Sequence, residues 1–333
     1  MRRAATARAP TSNRARSSWA YATALFALAI VGPAGAAEWP SRPIRIIAPS
    51  TPGGAADTFA RLLADHLGPK LGTTFVVDNR AGGGGLIGVA AAAHAEPDGY
   101  TFVTSSIAYN TIEPIVSPNP GFDPARDFTH VAFIGGQPDA FIVNAKSGLR
   151  SLQDVIDFAR SATTLDYVSP GLATFAQLLV EAFAREAGIK LQHIPHRGSS
   201  QAMLDLVAGN VVFGSMTWGS AIGQIRAGTV RPVAVSSKAR VAEYPDVPTL
   251  QELGYRIVGD SWFGLSGPAG IAPEITSKLN RAVIEVLAKP EVRQRLLADA
   301  IVPEPMSPEQ FATFVAADIA KWGPVAKQLG MGH

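Results

Sequence analysis

The sequence predicts an α/β protein of two lobes, and three observations carry that expectation. Short β-branched runs alternate with helical patterns, first at Ile44 to Ala48, Thr74 to Asp78, Thr101 to Thr104 and Val131 to Gly135, an order that argues a parallel sheet covered by helices. A second series of the same kind begins near Phe141. The chain has 333 residues and no Cys, so its stability rests on a core rather than on disulfides, and a core of that size usually divides in two.

The first 37 residues read as a secretory signal peptide. Arg2, Arg3, Arg8, Arg14 and Arg16 precede an apolar stretch from about Trp19 to Val31, and Ala34-Gly35-Ala36-Ala37 supplies small residues for cleavage. The apolar run is shorter than a bilayer span requires. The whole chain carries 29 basic and 27 acidic residues, a formal charge of +2; without those five arginines 24 basic residues face 27 acidic ones, a net −3. No Lys/Arg-rich run survives, which excludes the usual electrostatic footprint of nucleic-acid binding.

Behind the leader, the first strand empties into Pro49-Ser50-Thr51-Pro52-Gly53-Gly54-Ala55-Ala56-Asp57, and a helical pattern runs from Thr58 to Leu71. The first amides of a helix have no partner within it and carry the positive end of its dipole, so glycines there let an anion approach. Phe59, Leu62, Leu63, His66 and Leu67 form the apolar stripe of that helix and read as core. Gly83 to Gly88 spells G-x-G-x-x-G, but it follows the second strand and the next acid, Asp98, sits in a turn, so it reads as a strand-to-helix turn rather than a dinucleotide fingerprint.

In the second series the pattern predicts a helix from Leu152 to Arg160, a strand at Tyr167, a helix from Thr174 to Ala187, a strand from Leu191 to Ile194, a helix from Ser199 to Ala208, and strands at Val211 to Phe213 and Val233 to Ser236. From Ser261 come a strand and three helices, Ala272 to Leu287, Pro290 to Ala298 and Pro308 to Leu329, which suit a chain returning to cover the first lobe. The division expected is 38–142 with 260–333 for lobe 1 and 143–259 for lobe 2. Two lobes joined by more than one crossing make a hinged receptor with its ligand in the cleft outside the strand ends.

Trp39-Pro40-Ser41-Arg42-Pro43-Ile44, Pro52 to Asp57, Asn79-Arg80 with its glycines, and Pro97-Asp98-Gly99-Tyr100 are followed in order by Tyr167-Val168-Ser169, His193-Ile194-Pro195, Tyr244 to Thr249 and Gly267 to Gly270. In this succession the chain resembles the substrate receptors of the tripartite tricarboxylate transporter family, the Bug solute receptors. The resemblance implies a periplasmic binding protein of the type II-like class, monomeric, that captures a small organic anion, a carboxylate, and passes it to membrane transporter subunits, without cofactor or catalysis. By position, it implies ligand loops at Ser50, Thr51, Pro52, Gly53, Gly54 and Asp57, at Ser105, Ser106 and Asn110, at Ser169, Gly171 and Thr174, and at Pro195, His196, Gly198 and Ser199. Pro170, Leu172 and Val212 depart from the family pattern, and Trp218 falls in a loop that often faces the cleft, so an aromatic or hydrophobic carboxylate is expected.

The physical reading stands beside that resemblance. Ser50 or Thr51, the amides after Gly53, and Thr174 clamp one anion from both lobes, unless Ser50, Thr174 and Ser199 are simply helix caps. Asp57 favours the helix dipole in the first turn or else selects a ligand with a donor group. None of the six His forms a metal pattern and no G-x-S-x-G elbow exists. His196 and Ser199 are near in sequence but read as polar loop groups, with Arg197 steering anions. An exported α/β hydrolase or transferase, or a sensor feeding a signalling partner, is the alternative.

Overall fold

The computed structural model describes residues 38–162, 164–196, 198–328 and 330. The leader and Arg197 lie outside the described residues. The chain divides into two compact units, residues 1–41 and 42–333, and the fold below is that of the second.

Its elements run β1 (Ile44–Ala48), α1 (Ala55–Leu71), β2 (Phe75–Asn79), α2 (Leu86–Ala93), β3 (Thr101–Ser106), α3 (Glu113–Val116), β4 (Phe128–Gln137), β5 (Asp139–Asn144), α4 (Leu152–Ser161), β6 (Leu165–Ser169) and α5 (Phe175–Ala187). They continue as β7 (Leu191–Pro195), α6 (Ser199–Ala208), β8 (Phe213–Thr217), α7 (Trp218–Arg226), β9 (Val230–Val235), β10 (Ser261–Pro268), α8 (Pro273–Leu287), α9 (Pro290–Ala298) and α10 (Pro308–Gln328). A π-helical turn, Ala108–Ile112, joins β3 to α3.

The strands form two five-stranded sheets, ordered β2-β1-β3-β10-β4 and β7-β6-β8-β5-β9. Neither is wholly parallel, as the sequence pattern had implied. β10 runs antiparallel to β3 and β4, and β5 antiparallel to β8 and β9. The reason is the crossings. A strand that enters from the other sheet arrives at the carboxyl edge and must run back from it, whereas helical crossovers keep their strands parallel.

The first crossing is one residue, Pro138, so β5 belongs whole to the second sheet and the division expected after Ile142 falls inside it. The return occupies residues 236–260. The two crossings are tied together: Asp139 N donates to Ser236 Oγ at 2.9 Å, Ser236 N to the Asp139 carbonyl at 3.0 Å, and Ser261 Oγ to Asp139 Oδ2 at 2.6 Å.

Buried runs explain why these segments pair. β3, β5 and β10 are buried along their whole lengths, as strands covered on both faces must be. The closing helix α10 packs Phe311 edge-on against Phe133 and Trp262 of the first sheet, at centroid distances of 5.6 and 5.7 Å. Its Trp322 meets Phe175 of α5 at 5.1 Å. Each such ring contributes about 1.5–3 kcal/mol by burial. α10 thus covers the first sheet while also bracing the second.

Candidate ligand site at the facing strand ends

Register places the site. Ala48 aligns with Asn79, Ser106 with Phe263 and Gln137 with Ser261, so β1, β2, β3 and β4 all end on the edge where the chain crosses. In the other sheet Ser169 aligns with Pro195 and Thr217 with Asp139, so β6, β7 and β8 end on the matching edge. With one residue between Gln137 and Asp139, the two sets of carboxyl ends face one junction, where α/β proteins bind ligands.

On the first side, α1 begins without a side-chain cap. Its N-cap is Gly54, whose N–H donates to the Thr51 carbonyl at 3.0 Å, and the first bond within the helix is Thr58 N to the Gly54 carbonyl at 2.9 Å. The amides of Ala55, Ala56 and Asp57 precede that bond and have no helical acceptor. Thr51, Pro52 and Gly53 are exposed. Ser50 is not a cap; its hydroxyl donates to the Thr51 carbonyl.

Asp57 is only 3% exposed and is fully engaged within the protein. It accepts from Gly53 N at 2.9 Å, Arg61 Nε at 3.0 Å and Asn79 Nδ2 at 2.9 Å. The Arg61 guanidinium, aided by the Gly53 and Asn79 bonds, holds its carboxyl down to about 2. Of the two roles the sequence left open, these bonds speak against the ligand selector and against Asp57 as a ligand contact: Asp57 shapes the turn that presents α1 and takes up the Gly53 amide, leaving the amides after Gly53.

Beyond β3, Ser105 Oγ accepts from Ser266 Oγ at 3.0 Å inside the sheet, which makes it a core residue rather than a ligand contact. Ser106 N donates to Asn110 Oδ1 at 3.1 Å, and Tyr109 N to Ser106 Oγ at 3.3 Å. Asn110 is fully buried, yet its Nδ2 has no partner among the described residues. π-Helical turns of this kind recur at functional sites. Just after it, Glu113 is 8% exposed and lies against the exposed turn of Gly84, where an added methyl group would overlap its carboxylate. Burial pushes Glu113 up to about 7 and the adjoining Tyr109 up to about 12. Glu113 was missed from sequence; its only signal was a lone acid in the apolar run Ile112 to Val116.

On the second side the expected donors rearrange. Thr174 caps α5, its Oγ accepting from Gln177 N at 3.3 Å and donating to the Gly171 carbonyl at 2.9 Å. Gln177 Oε1 takes the Ala173 amide at 2.8 Å, and the Gly171 amide goes to Ser169 Oγ at 3.2 Å. That helix start carries a side-chain cap, which takes up the Gln177 amide and leaves those of Phe175 and Ala176 before the first helical bond, Leu178 N to the Thr174 carbonyl. α6 is the bare one: its N-cap is Gly198, at φ 116° with no side-chain cap, and the amides of Ser199 and Ser200 precede the first helical bond, Ala202 N to Gly198 carbonyl. Gly198 N itself donates to the Pro170 carbonyl at 2.7 Å. Ser199 is thus the first residue of α6 and not its cap. Pro195 is exposed at the end of β7, and His196 Nε2 lies 3.2 Å from Asp205 Oδ2 of α6.

Trp218 is corrected outright. It opens α7, a helix the sequence reading treated as loop, and is 1% exposed, packed edge-on against Tyr244 at 5.1 Å. The run Trp218 to Arg226 has helical spacing in Trp218, Ala221, Ile222 and Ile225, the pattern that identified the other helices.

Residues 59–331 match the family described as Tripartite tricarboxylate transporter family receptor. BugT of Bordetella pertussis is 34% identical over 304 residues, covering 90% of this chain and 93% of that one. An R. palustris protein solved with adipate is 32% identical with a TM-score of 0.79, covering 88% of this chain and 98% of that one. MatC from Rhodopseudomonas palustris, solved with bound malate, is 27% identical with a TM-score of 0.76, covering 86% and 99%.

Proposed function

Because the chain belongs to the tripartite tricarboxylate transporter family of receptors, we propose that it is a periplasmic receptor, monomeric and without catalytic activity. It takes a small organic carboxylate between two lobes and delivers it to the membrane subunits of its transporter. The lobes are the two sheets with their helices, and the tied crossings at Pro138 and residues 236–260 are the hinge between them.

The observation that carries this reading is the pair of uncapped helix starts, α1 and α6, at strand ends that face one junction. A carboxylate leaving water loses several kcal/mol of solvation. A partly buried helix start returns up to about 2 kcal/mol, and charge-assisted bonds from its amides add to that. One start does not suffice, so both lobes must contribute and closure follows from binding. A dicarboxylate suits two such starts best, one group to each, and relatives of this chain were solved with adipate and malate. The expectation of an aromatic or hydrophobic ligand loses two of its supports, since Trp218 is core and Val212 packs against core. Leu172, half exposed beside the α5 start, and its neighbour Pro170 are what remain of it.

Ser169 Oγ and His193 Nε2 lie 2.7 Å apart, a contact that favours a hydrolase; the other Ser–His pair among the described residues, His130 with Ser266 at 2.9 Å, is buried in the first sheet. Ser169, however, is fully buried, and its hydroxyl is held by both the amide and the carbonyl of Gly171. His193 stacks on Tyr167 at 4.8 Å, and burial holds its ring down at about 4. The pair is read as a brace for the Gly171 turn. A thermal-shift screen with adipate, malate, citrate and benzoate tests the proposal: stabilisation of about 2.7 kcal/mol is expected at a hundred times Kd, with the hit recovered unchanged by mass spectrometry. Hydrolysis of a hit, or no shift with any of the four, overturns it.

A further inference from the structure

One acidic side chain at the site has no counterpart in the reading above. Glu113 follows the π-helical turn beyond β3, is more than nine-tenths buried, and has no hydrogen-bonded or ionic partner among the described residues. It is aimed at the glycine turn after β2: the carboxylate lies against Gly84, which is exposed and at φ 64°. Any side chain at 84 would overlap both carboxylate oxygens, so the glycine is what leaves the acid approachable from the junction. Asn110 Nδ2, two residues into the π-helical turn, is likewise buried and unpartnered.

A buried carboxylate with no cation beside it is the opposite of what an anion site requires, unless it enters the complex neutral. Resting on the carboxylate-receptor reading, we propose that Glu113 is a ligand-contacting residue that takes up one proton from solvent as the carboxylate binds, its neutral O–H then donating a hydrogen bond to the ligand.

The surroundings fit that step. Tyr109 is the titratable group that faces Glu113, and burial keeps it protonated and uncharged, up to about 12. No charged neighbour among the described residues offsets the cost of ionising Glu113; burial pushes it up to about 7. From α10, Ile115's neighbour is Gly323, and Asp318 is engaged by Trp262 Nε1 at 2.8 Å. An arriving anion raises Glu113 further, since a like charge disfavours its ionised form. Affinity is then full below about 7 and falls as pH rises through it, by up to tenfold per unit.

Titration calorimetry with adipate at pH 6 and pH 8.5, in phosphate and in Tris, reads both the affinity and the protons exchanged. The expected result is binding at least roughly tenfold tighter at pH 6, uptake approaching one proton at pH 8.5, and loss of both in Glu113→Gln. Glu113→Asp, which keeps the acid, should keep a pH slope, so a folding defect in one variant does not decide the matter. Adipate binding that is flat with pH, or a slope that survives in Glu113→Gln, overturns the proposal while leaving the receptor reading intact. If neither adipate nor the other carboxylates of the screen bind at either pH, the receptor reading fails and this proposal with it.

Discussion

Two helix starts look alike in sequence and differ in the folded chain. α1 and α5 each follow a parallel strand, β1 and β6, and each begins at the junction edge of its sheet. At α5 the cap is Thr174, whose hydroxyl takes the Gln177 amide, and Gln177 reaches back to the Ala173 amide before the helix, so a side chain occupies the start and one first-turn amide is spent on it. At α1 the cap is Gly54, which has no side chain to offer. A third start shows the rule away from the junction: α4 carries a full capping box of Ser151 and Asp154. Leaving a start uncapped forgoes about 1 kcal/mol of helix stability, and at α1 and α6 the forgone bonds are the ones a ligand can make. A hydroxyl that caps a helix start therefore argues against an anion site there, and of the two readings the sequence left open for Thr174 the structure shows the cap.

The largest effect is expected from turning one kind of start into the other. Gly54 has φ −72°, open to any residue, and an added Cβ would meet the Ser50 hydroxyl at 2.9 Å, the Ser50 Cβ at 3.0 Å and the Thr51 carbonyl at 3.2 Å, so the turn must give by a few tenths of an ångström. Gly54→Asp caps α1 and sets a like charge against the carboxylate, a juxtaposition that costs several kcal/mol. Affinity should fall about 100-fold or more, while the melting temperature moves little, the new cap offsetting the tight contact with Ser50 and Thr51. Gly54→Asn, a neutral cap, should lose less. Unchanged carboxylate affinity in both variants would remove α1 from the site.

Next in size is Asp57, which supports the bare start without touching the ligand. Its folded value is about 2 against an ordinary 3.8, so the stability it contributes is present above about pH 4 and is lost as pH falls through about 2. Arg61 is more than half exposed, and solvent screening reduces the contribution. Asp57→Asn should cost about 1–2 kcal/mol at pH 7 and almost nothing near pH 2, read by urea denaturation at the two values. Its effect on affinity should be equal for amino and non-amino carboxylates; a selective loss for the amino ligand would restore the selector role.

The parts of this fold that sequence makes legible are those governed by short-range periodicity. β1 and α6 fall on the residues expected from pattern, and α9 likewise. What periodicity does not carry is direction: β5 and β10 are antiparallel because they arrive from the other sheet, a long-range fact with no local trace. The site divides the same way. Glycines at 53, 54 and 198 mark open helix starts in the sequence. Whether a polar side chain there faces a ligand or its own backbone depends on bonds such as Asp57 to Gly53 and Thr174 to Gln177, which compete locally and are invisible to spacing. Trp218 misleads for a related reason, since an aromatic beside a loop is read as exposed until α7 carries it into the core. Glu113 went unnoticed because its burial comes from the packing of α3 against the Gly84 turn, elements far apart in the chain.

The smallest effect separates the two starts most cleanly. Thr174→Ala removes the cap of α5 but leaves Gln177 free to hold Ala173, whose φ of 55° is unusual for a residue with a Cβ and needs that support. The variant should lose about 1 kcal/mol of stability, read as a drop in the urea midpoint. If α5 is sealed against ligand, its carboxylate affinity should stay within about twofold of the parent, because the hydroxyl lost with the side chain bonds only to Gly171 and Gln177. A loss of affinity approaching that of Gly54→Asp would mean that Thr174 opens toward the ligand when the lobes close. The clamp would then use α5 in place of α6.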